Sequence, residues 1–258
     1  MNEAAPNIIM IDKGYFLGRE GNQLAYVLNR VSPKKPVLLM VHGFAGNKDE
    51  NGLFVDSSTF FEKRGYNVFR FDMTGVGESK GEFMHTSLEK QISDLSRALG
   101  YIKQERYPRI GLIGFSLGAT ISLLNNPEGV DALALWSPAL FPSRDMFPRY
   151  DTEEVRRELL ERGYIPKSGL KVGPAIINDL RTCDLVPAMK SVQKPVLLVH
   201  GTEDSRIDYR NTQSAIGYFP NASLQLINGA NHSYKGNLVH RLEVLTKTCD
   251  WFDKQLSQ

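Results

Sequence analysis

The segment Gly114-Phe115-Ser116-Leu117-Gly118 sets a serine between two glycines, after the apolar run "IGLI" (110–113) and before the helix-like "ATISLL" (119–124). Glycines on both sides permit a strained strand-to-helix turn that lifts a serine oxygen above a sheet, where it can attack a carbonyl carbon. A serine hydroxyl is a weak nucleophile at neutral pH. It needs a positioned base, and the base needs an orienting carboxylate. Two later segments offer them. "VLLVHGTEDSRID" (196–208) carries Asp204 just beyond an apolar run, with Glu203 and Asp208 as further acids on the same loop, and "LQLINGANHSYKG" (224–236) carries His232 beyond another. The chain order is serine, acid, histidine.

The other histidines fit the base less well. His240 falls in a terminal helical pattern, and His85 follows a turn with no strand to fix it. His42 and His200 each precede a glycine at a strand end, where a structural hydrogen bond is the expected role. An oxyanion needs two preorganised N–H donors. Leu117, the residue after the serine, supplies one, and Phe44, in the loop "HGFAGNKDE" (42–50), supplies the other.

A second glycine-rich stretch, "FRFDMTGVGESKGEF" (69–83), resembles a phosphate cradle at first sight. In a dinucleotide fingerprint the third glycine stands three residues after the second and opens a helix. Here Gly81 stands one place too late after Gly75 and Gly77, and the loop runs on to His85 before a helical pattern starts. No helix N-terminus lies near enough to receive an anion. The stretch is a turn.

These residues need elements that hold them. Short apolar runs at 35–43, 66–72, 109–116, 130–138 and 194–204 suit strands buried on both faces of a parallel sheet. Helix-like stretches at 57–64, 87–105, 117–124 and 208–218 alternate with them, which predicts an α/β sheet with right-handed crossovers. Residues 7–30 read as an antiparallel hairpin on the sheet edge, and 238–256 as a closing amphipathic helix. The segment 141–184 is too long for a plain connection and is expected to form an inserted cap within one domain spanning 1–258. Its apolar side chains Phe141, Met146, Phe147, Tyr150, Tyr164 and Ile165 are candidate pocket walls, with Phe141, Phe147 and Tyr164 the chosen substrate contacts.

A chain of 258 residues can bury a sizeable core. A net charge of +2, with no long basic run, gives no footprint for nucleic acid or an anionic membrane, so a small molecule is the expected partner. The N-terminal residues lack a basic region and a long apolar core, and no apolar stretch approaches a membrane span; a cytoplasmic location is expected. Cys183 and Cys249 lack metal-type spacing and are expected to be free thiols.

Five motifs in order, "HGFAGNKDE", "FDMTGVGESKGEF", "GFSLG", "HGTEDSRID" and "GANHSY", resemble an α/β-hydrolase over about residues 35–250. More narrowly, the chain is similar to the group of serine esterases, acylglycerol lipases and serine aminopeptidase-like proteins that includes the bacterial feruloyl esterases. The resemblance implies an α/β-hydrolase fold and an ester hydrolase working through an acyl-enzyme on Ser116, with His232 as base and Asp204, three residues beyond Gly201, as acid. It also implies that Asp72 and Ser79 brace loops, and that no metal or organic cofactor takes part. An aminopeptidase, amidase or thioesterase would use the same triad, and a binding protein without catalysis would keep the same fold. An aminopeptidase would need an amine anchor, for which the cap offers Asp145, Asp151, Glu153 and Glu154. The chain departs from the group in "GFSLGAT", where many members carry histidine or glutamine beside the serine, and at Asp208, where proline is frequent. Both departures bear on the substrate more than on the triad.

Overall fold

The apolar runs bounded by glycine, proline and aspartate become the strands of one sheet. The computed structural model describes residues 10–126 and 128–256, so residues 7–9 of the expected edge hairpin lie outside it. In chain order the strands are β1 (Met10–Leu17), β2 (Gln23–Arg30), β3 (Val37–Val41), β4 (Asn67–Phe71), β5 (Ile110–Phe115), β6 (Ala132–Trp136), β7 (Ile165–Lys167), β8 (Leu170–Val172), β9 (Val196–Gly201) and β10 (Ala222–Ile227). The helices are α1 (Leu53–Lys63), α2 (Leu88–Gln104), α3 (Leu117–Leu124), α4 (Pro142–Asp145), α5 (Glu153–Arg162), α6 (Pro174–Thr182), α7 (Val186–Ser191), α8 (Tyr209–Ala215) and α9 (Leu238–Leu256).

Eight strands form a sheet in the order β1-β2-β4-β3-β5-β6-β9-β10. Only β2 runs against its neighbours; from β4 to β10 every pairing is parallel. The central strands β3, β4, β5, β6 and β9 are buried at every position, because helices cover both faces. The core accordingly divides into two clusters. One holds Leu39, Phe69, Leu112 and Leu135 beside α2 and α3, and the other holds Leu38, Met40, Ile113 and Trp136 beside α1 and α9. Side chains alternate between these clusters along each strand, as the pleat requires.

The helix expected over 57–64 begins earlier, at Leu53, because Leu53 and Phe54 bury their side chains and draw the first turn into the core. The expected helix over 208–218 is α8 followed by a 3-10 turn, Ile216–Tyr218, with Asp208 as its N-cap accepting from the Arg210 N–H. Between β6 and β9 the chain builds α4, a 3-10 turn, α5, the hairpin β7–β8, α6 and α7. The hairpin falls where the sequence suggested only turns; its three-residue strands are too short to show a period, and Ser168 and Gly169 at positive φ join them. This segment is tied down where the Leu88 N–H donates to Asp179 Oδ2 at 2.7 Å. Cys183 and Cys249 are both free. Among the described residues no helix is long and apolar enough to cross a membrane.

Candidate active site

Strand β5 delivers Ser116 to the turn that starts α3. Ser116 adopts φ 53°, ψ −117°, a conformation costing a non-glycine residue on the order of 1–3 kcal/mol, and its N–H is held by the Trp136 carbonyl at 2.9 Å. The flanking glycines answer to contact. A Cβ at Gly118 would stand 2.2 Å from the Val41 carbonyl oxygen, and one at Gly114 would stand 2.8 Å from Ala119 Cα. The helix therefore packs against β3 and β5 only because neither position carries a side chain.

His232 and Asp204 come from loops after β10 and β9. These loops approach so closely that a Cβ at Gly201 would stand 2.2 Å from the Ala230 carbonyl oxygen, which accepts the Glu203 N–H at 3.0 Å. Ser116 Oγ lies 3.1 Å from His232 Nε2, and His232 Nδ1 lies 2.6 Å from Asp204 Oδ2. The N–H groups of Arg206 and Ile207 donate to Asp204 Oδ1 at 2.8 and 2.9 Å. His232 is held from behind as well, since its carbonyl accepts from Ser137 Oγ at 2.8 Å, and the buried Tyr234 hydroxyl donates to the Val199 carbonyl at 3.1 Å. Of the three acids on the loop, only Asp204 meets the imidazole; Glu203 is exposed and Asp208 caps α8.

The electrostatics follow from burial. Burial would raise the Asp204 carboxyl, but hydrogen bonds from His200 and His232 outweigh it and hold Asp204 well below the usual carboxylate range. Burial lowers the His232 imidazole, partly offset by Asp204, so the ring is neutral near pH 7 and able to accept a proton. Two N–H groups, those of Phe44 and Leu117, have no acceptor among the described residues. A Cβ at Gly43 would lie 3.3 Å from Ser116 Cβ, so the chain at Phe44 passes directly beside the serine. The arrangement can hold a carbonyl, take a proton from its attacker and steady the resulting negative charge.

The Phe44 loop is braced by the turn that looked like a phosphate cradle. Asp72 accepts from the Lys48 N–H (2.6 Å), Lys48 Nζ (2.9 Å) and the Glu78 N–H (2.8 Å). Ser79 Oγ donates to the Asp72 carbonyl and accepts from the Ala25 N–H. Gly77, at φ 56°, has no space for a Cβ, which would fall 2.2 Å from Asp72 Oδ2. His42 adds a second tie, with Nδ1 donating to the Gly43 carbonyl and Nε2 accepting from the Met73 N–H.

A pocket of about 60 Å³ opens at Ser116 and His232, walled by Phe44, Phe115, Met146, Tyr150 and Ile207. Of the six apolar side chains considered as walls, Met146 and Tyr150 line it. Placement departs from expectation for the others. Phe141 packs under Arg144 and against Tyr218, Tyr164 lies under Lys171, and neither they nor Phe147 and Ile165 are among the lining residues. Residues that spacing did not single out stand in their stead: Glu50, Arg149, Lys167 and Arg206. Glu50, at φ 43°, is buried and accepts the Gly43 N–H at 2.9 Å; burial, opposed by that bond, pushes its carboxyl up to about 7. Among the described residues no group of three or more His, Cys, Asp or Glu side chains could hold a metal.

The family model described as "Serine aminopeptidase, S33" matches residues 32–171, more than half of the chain. A carboxylesterase of Bacillus subtilis is 24% identical over 194 residues, covering 69% of this chain and 74% of that protein. The mouse mitochondrial palmitoyl-protein thioesterase ABHD10 is 26% identical over 208 residues, covering 76% and 68%. Among solved structures, Est1E of Butyrivibrio proteoclasticus with ferulic acid bound superposes with a TM-score of 0.82 at 22% identity, covering 95% of this chain and 100% of that one. At that identity the likeness is one of fold.

Proposed function

The chain belongs to the serine aminopeptidase S33 family of α/β-hydrolases, and from that premise we propose that it hydrolyses carboxylic esters through an acyl-enzyme on Ser116. One observation carries this reading: the unbroken relay from Ser116 Oγ through His232 to Asp204, with hydrogen-bond distances of 3.1 and 2.6 Å, beside two N–H groups without acceptors among the described residues. Ser116 Oγ attacks the ester carbonyl carbon while its proton passes to His232 Nε2. The oxyanion is held by the N–H groups of Phe44 and Leu117. The tetrahedral adduct collapses, the C–O bond to the alcohol breaks, and the alcohol leaves with the proton from His232. Water then attacks the acyl-enzyme with His232 again as base, freeing the acid and restoring the serine. Asp204 fixes the imidazole tautomer and steadies the imidazolium.

Met146, Tyr150 and Lys167, all from residues 141–184, line the pocket, which supports that segment acting as a cap within a single domain. The Bacillus relative is named a carboxylesterase and the mouse relative a thioesterase. An aminopeptidase would need a carboxylate for the substrate amine. Asp145 is occupied by the Phe141 N–H and Asn211, and Asp151 by Arg156. Glu153 and Glu154 sit in the exposed first turn of α5. Glu50 lines the pocket among three cations, a poor setting for an ammonium.

The test is labelling with a fluorophosphonate, located by peptide mass spectrometry, alongside turnover of ester, thioester and aminoacyl-anilide substrates. Label on Ser116, and ester turnover that falls about a thousandfold or more in Ser116→Ala, is the expected result. Unchanged hydrolysis by the folded variant would overturn the assignment.

A further inference from the structure

Three cations, Arg149, Lys167 and Arg206, face the pocket at Ser116, against one acid, Glu50. They come from three separate places: the 3-10 turn after α4, the hairpin strand β7, and the loop that carries Asp204. None of them has a carboxylate within 4.0 Å among the described residues. Neighbouring arginines are different: Arg144, Arg156, Arg162 and Arg210 each have one, in Asp145, Asp151, Glu158 and Asp208.

Lys167 is the most informative of the three. It is half-buried, and its ammonium has no hydrogen-bond acceptor among the described residues; it lies 5.8 Å from the ring centres of both Phe44 and Tyr150. Two aromatic faces steady a cation only in part. Burial lowers its pKa, and Arg206 and Arg149 lower it further, so charge at this point lacks a counterion that the protein itself supplies. Arg149 donates to the Arg206 carbonyl, which joins the two arginines on one rim. Glu50 offsets the group only in part: its charge acts on Arg206 without an ion pair, and its carboxyl, pushed up to about 7, is only partly ionised near neutral pH, so one acid stands against three cations.

We propose that the ester cleaved at Ser116 is an anionic one, carrying a carboxylate or phosphate that Lys167 and Arg206 bind from the cap and the acid loop, with Arg149 completing the cationic rim. The proposal rests on the ester-hydrolase reading above and adds the substrate's charge. Lys167, half-buried, attracts an anion more strongly than it would in water, the exposed Arg149 and Arg206 add to the positive field at the rim, and all three repel the ammonium of an amino-terminal substrate.

The experiment compares kcat/KM for matched pairs: the 4-nitrophenyl monoester of glutaric acid against its neutral methyl-capped form, and an acetyl ester of glycerol phosphate against the acetyl ester of glycerol. The first pair places the anion on the acyl side, and the second places a phosphate on the alcohol side. At least one pair should favour the charged member by tenfold or more at low salt, and the preference should shrink as ionic strength rises. Lys167→Gln and Arg206→Gln should each cut the ratio about tenfold. As a readout independent of turnover, inorganic phosphate or glutarate should slow labelling of Ser116 by a neutral fluorophosphonate in the wild type, and less in either variant. Equal or lower rates on both charged members, with no protection by either anion, would overturn the proposal while leaving Ser116-dependent turnover of neutral esters intact. Loss of the ester-hydrolase reading itself would appear separately, as turnover that survives Ser116→Ala.

Discussion

His200 and His232 converge on a single oxygen: His200 Nε2 lies 3.0 Å from Asp204 Oδ2, the atom that stands 2.6 Å from His232 Nδ1. His200 Nε2 also faces the Ile207 carbonyl at 3.1 Å, so it must carry the proton. Its Nδ1 then accepts from the Thr212 hydroxyl at 2.7 Å. The carboxylate expected to orient the base is thus itself held by a fully buried imidazole at the end of β9.

Removing that donor should have a characteristic effect. In His200→Asn the shorter side chain leaves Asp204 Oδ2 to His232 alone, so the carboxylate interacts more strongly with the imidazolium. The acid limb of kcat/KM should then move to higher pH, and kcat should fall about tenfold through looser positioning. Stability should drop by about 1–3 kcal/mol, because Thr212 and the Ile207 carbonyl lose a buried partner. Loss of stability with an unmoved pH profile would leave His200 a purely structural residue.

The wild-type profile carries its own sign. In the proposed mechanism only the neutral form of His232 can accept the serine proton, and burial lowers the imidazole below its ordinary 6.5. The rate should rise with pH through a midpoint under 6.5 and level off above it. A midpoint above 6.5, measured with a substrate that does not itself titrate in this range, contradicts the buried neutral imidazole.

The loop after β9 offers three acids, and their variants should separate cleanly. Asp204→Asn should lower kcat about a thousandfold or more, by removing the charge that steadies the imidazolium. Asp208→Asn should cost less than about tenfold and little stability, since asparagine caps a helix as well as aspartate does. Glu203→Gln, at an exposed position, should also stay within about tenfold. Collapse at Asp208 with a near-normal Asp204 variant would reassign the acid.

Glu50 should make the fold weaker as the solution becomes more alkaline. Its carboxyl is raised from 4.5 to about 7 in the folded chain, so between those values the native state binds more protons than the unfolded one. Stability from this group therefore falls as pH rises through that window, by up to ~3 kcal/mol, and is level above it. Glu50→Gln cannot titrate. The Tm difference, variant minus wild type, should be larger at pH 8 than at pH 5, and an equal difference at both would refute the raised carboxyl.

Much of the site was legible because its requirements are local. A serine between glycines after an apolar run specifies a tight strand-to-helix turn, and Gly114 and Gly118 do face backbone with no space for a Cβ. Acids and histidines at the carboxyl ends of parallel strands gather at one edge of the sheet, so the positions of Asp204 and His232 after apolar runs are legible in the sequence. Asp208 stands at the start of the helix-like stretch 208–218, and in the structure it caps α8.

What tertiary structure decided are the contacts for which sequence distance carries no signal. Met146 and Tyr150, rather than Phe141, Phe147 and Tyr164, turn toward Ser116, because a side chain's direction in irregular segments depends on the path of the backbone and not on spacing. Glu50 meets the Gly43 N–H from a run of positive φ at Glu50, Asn51 and Gly52 that no residue pattern announces. Arg149, Lys167 and Arg206 are unremarkable as single basic residues. They become a charged wall only when a turn, a hairpin strand and the acid loop close over the same serine, since the Coulomb energy of a cluster depends on distances that the fold alone sets.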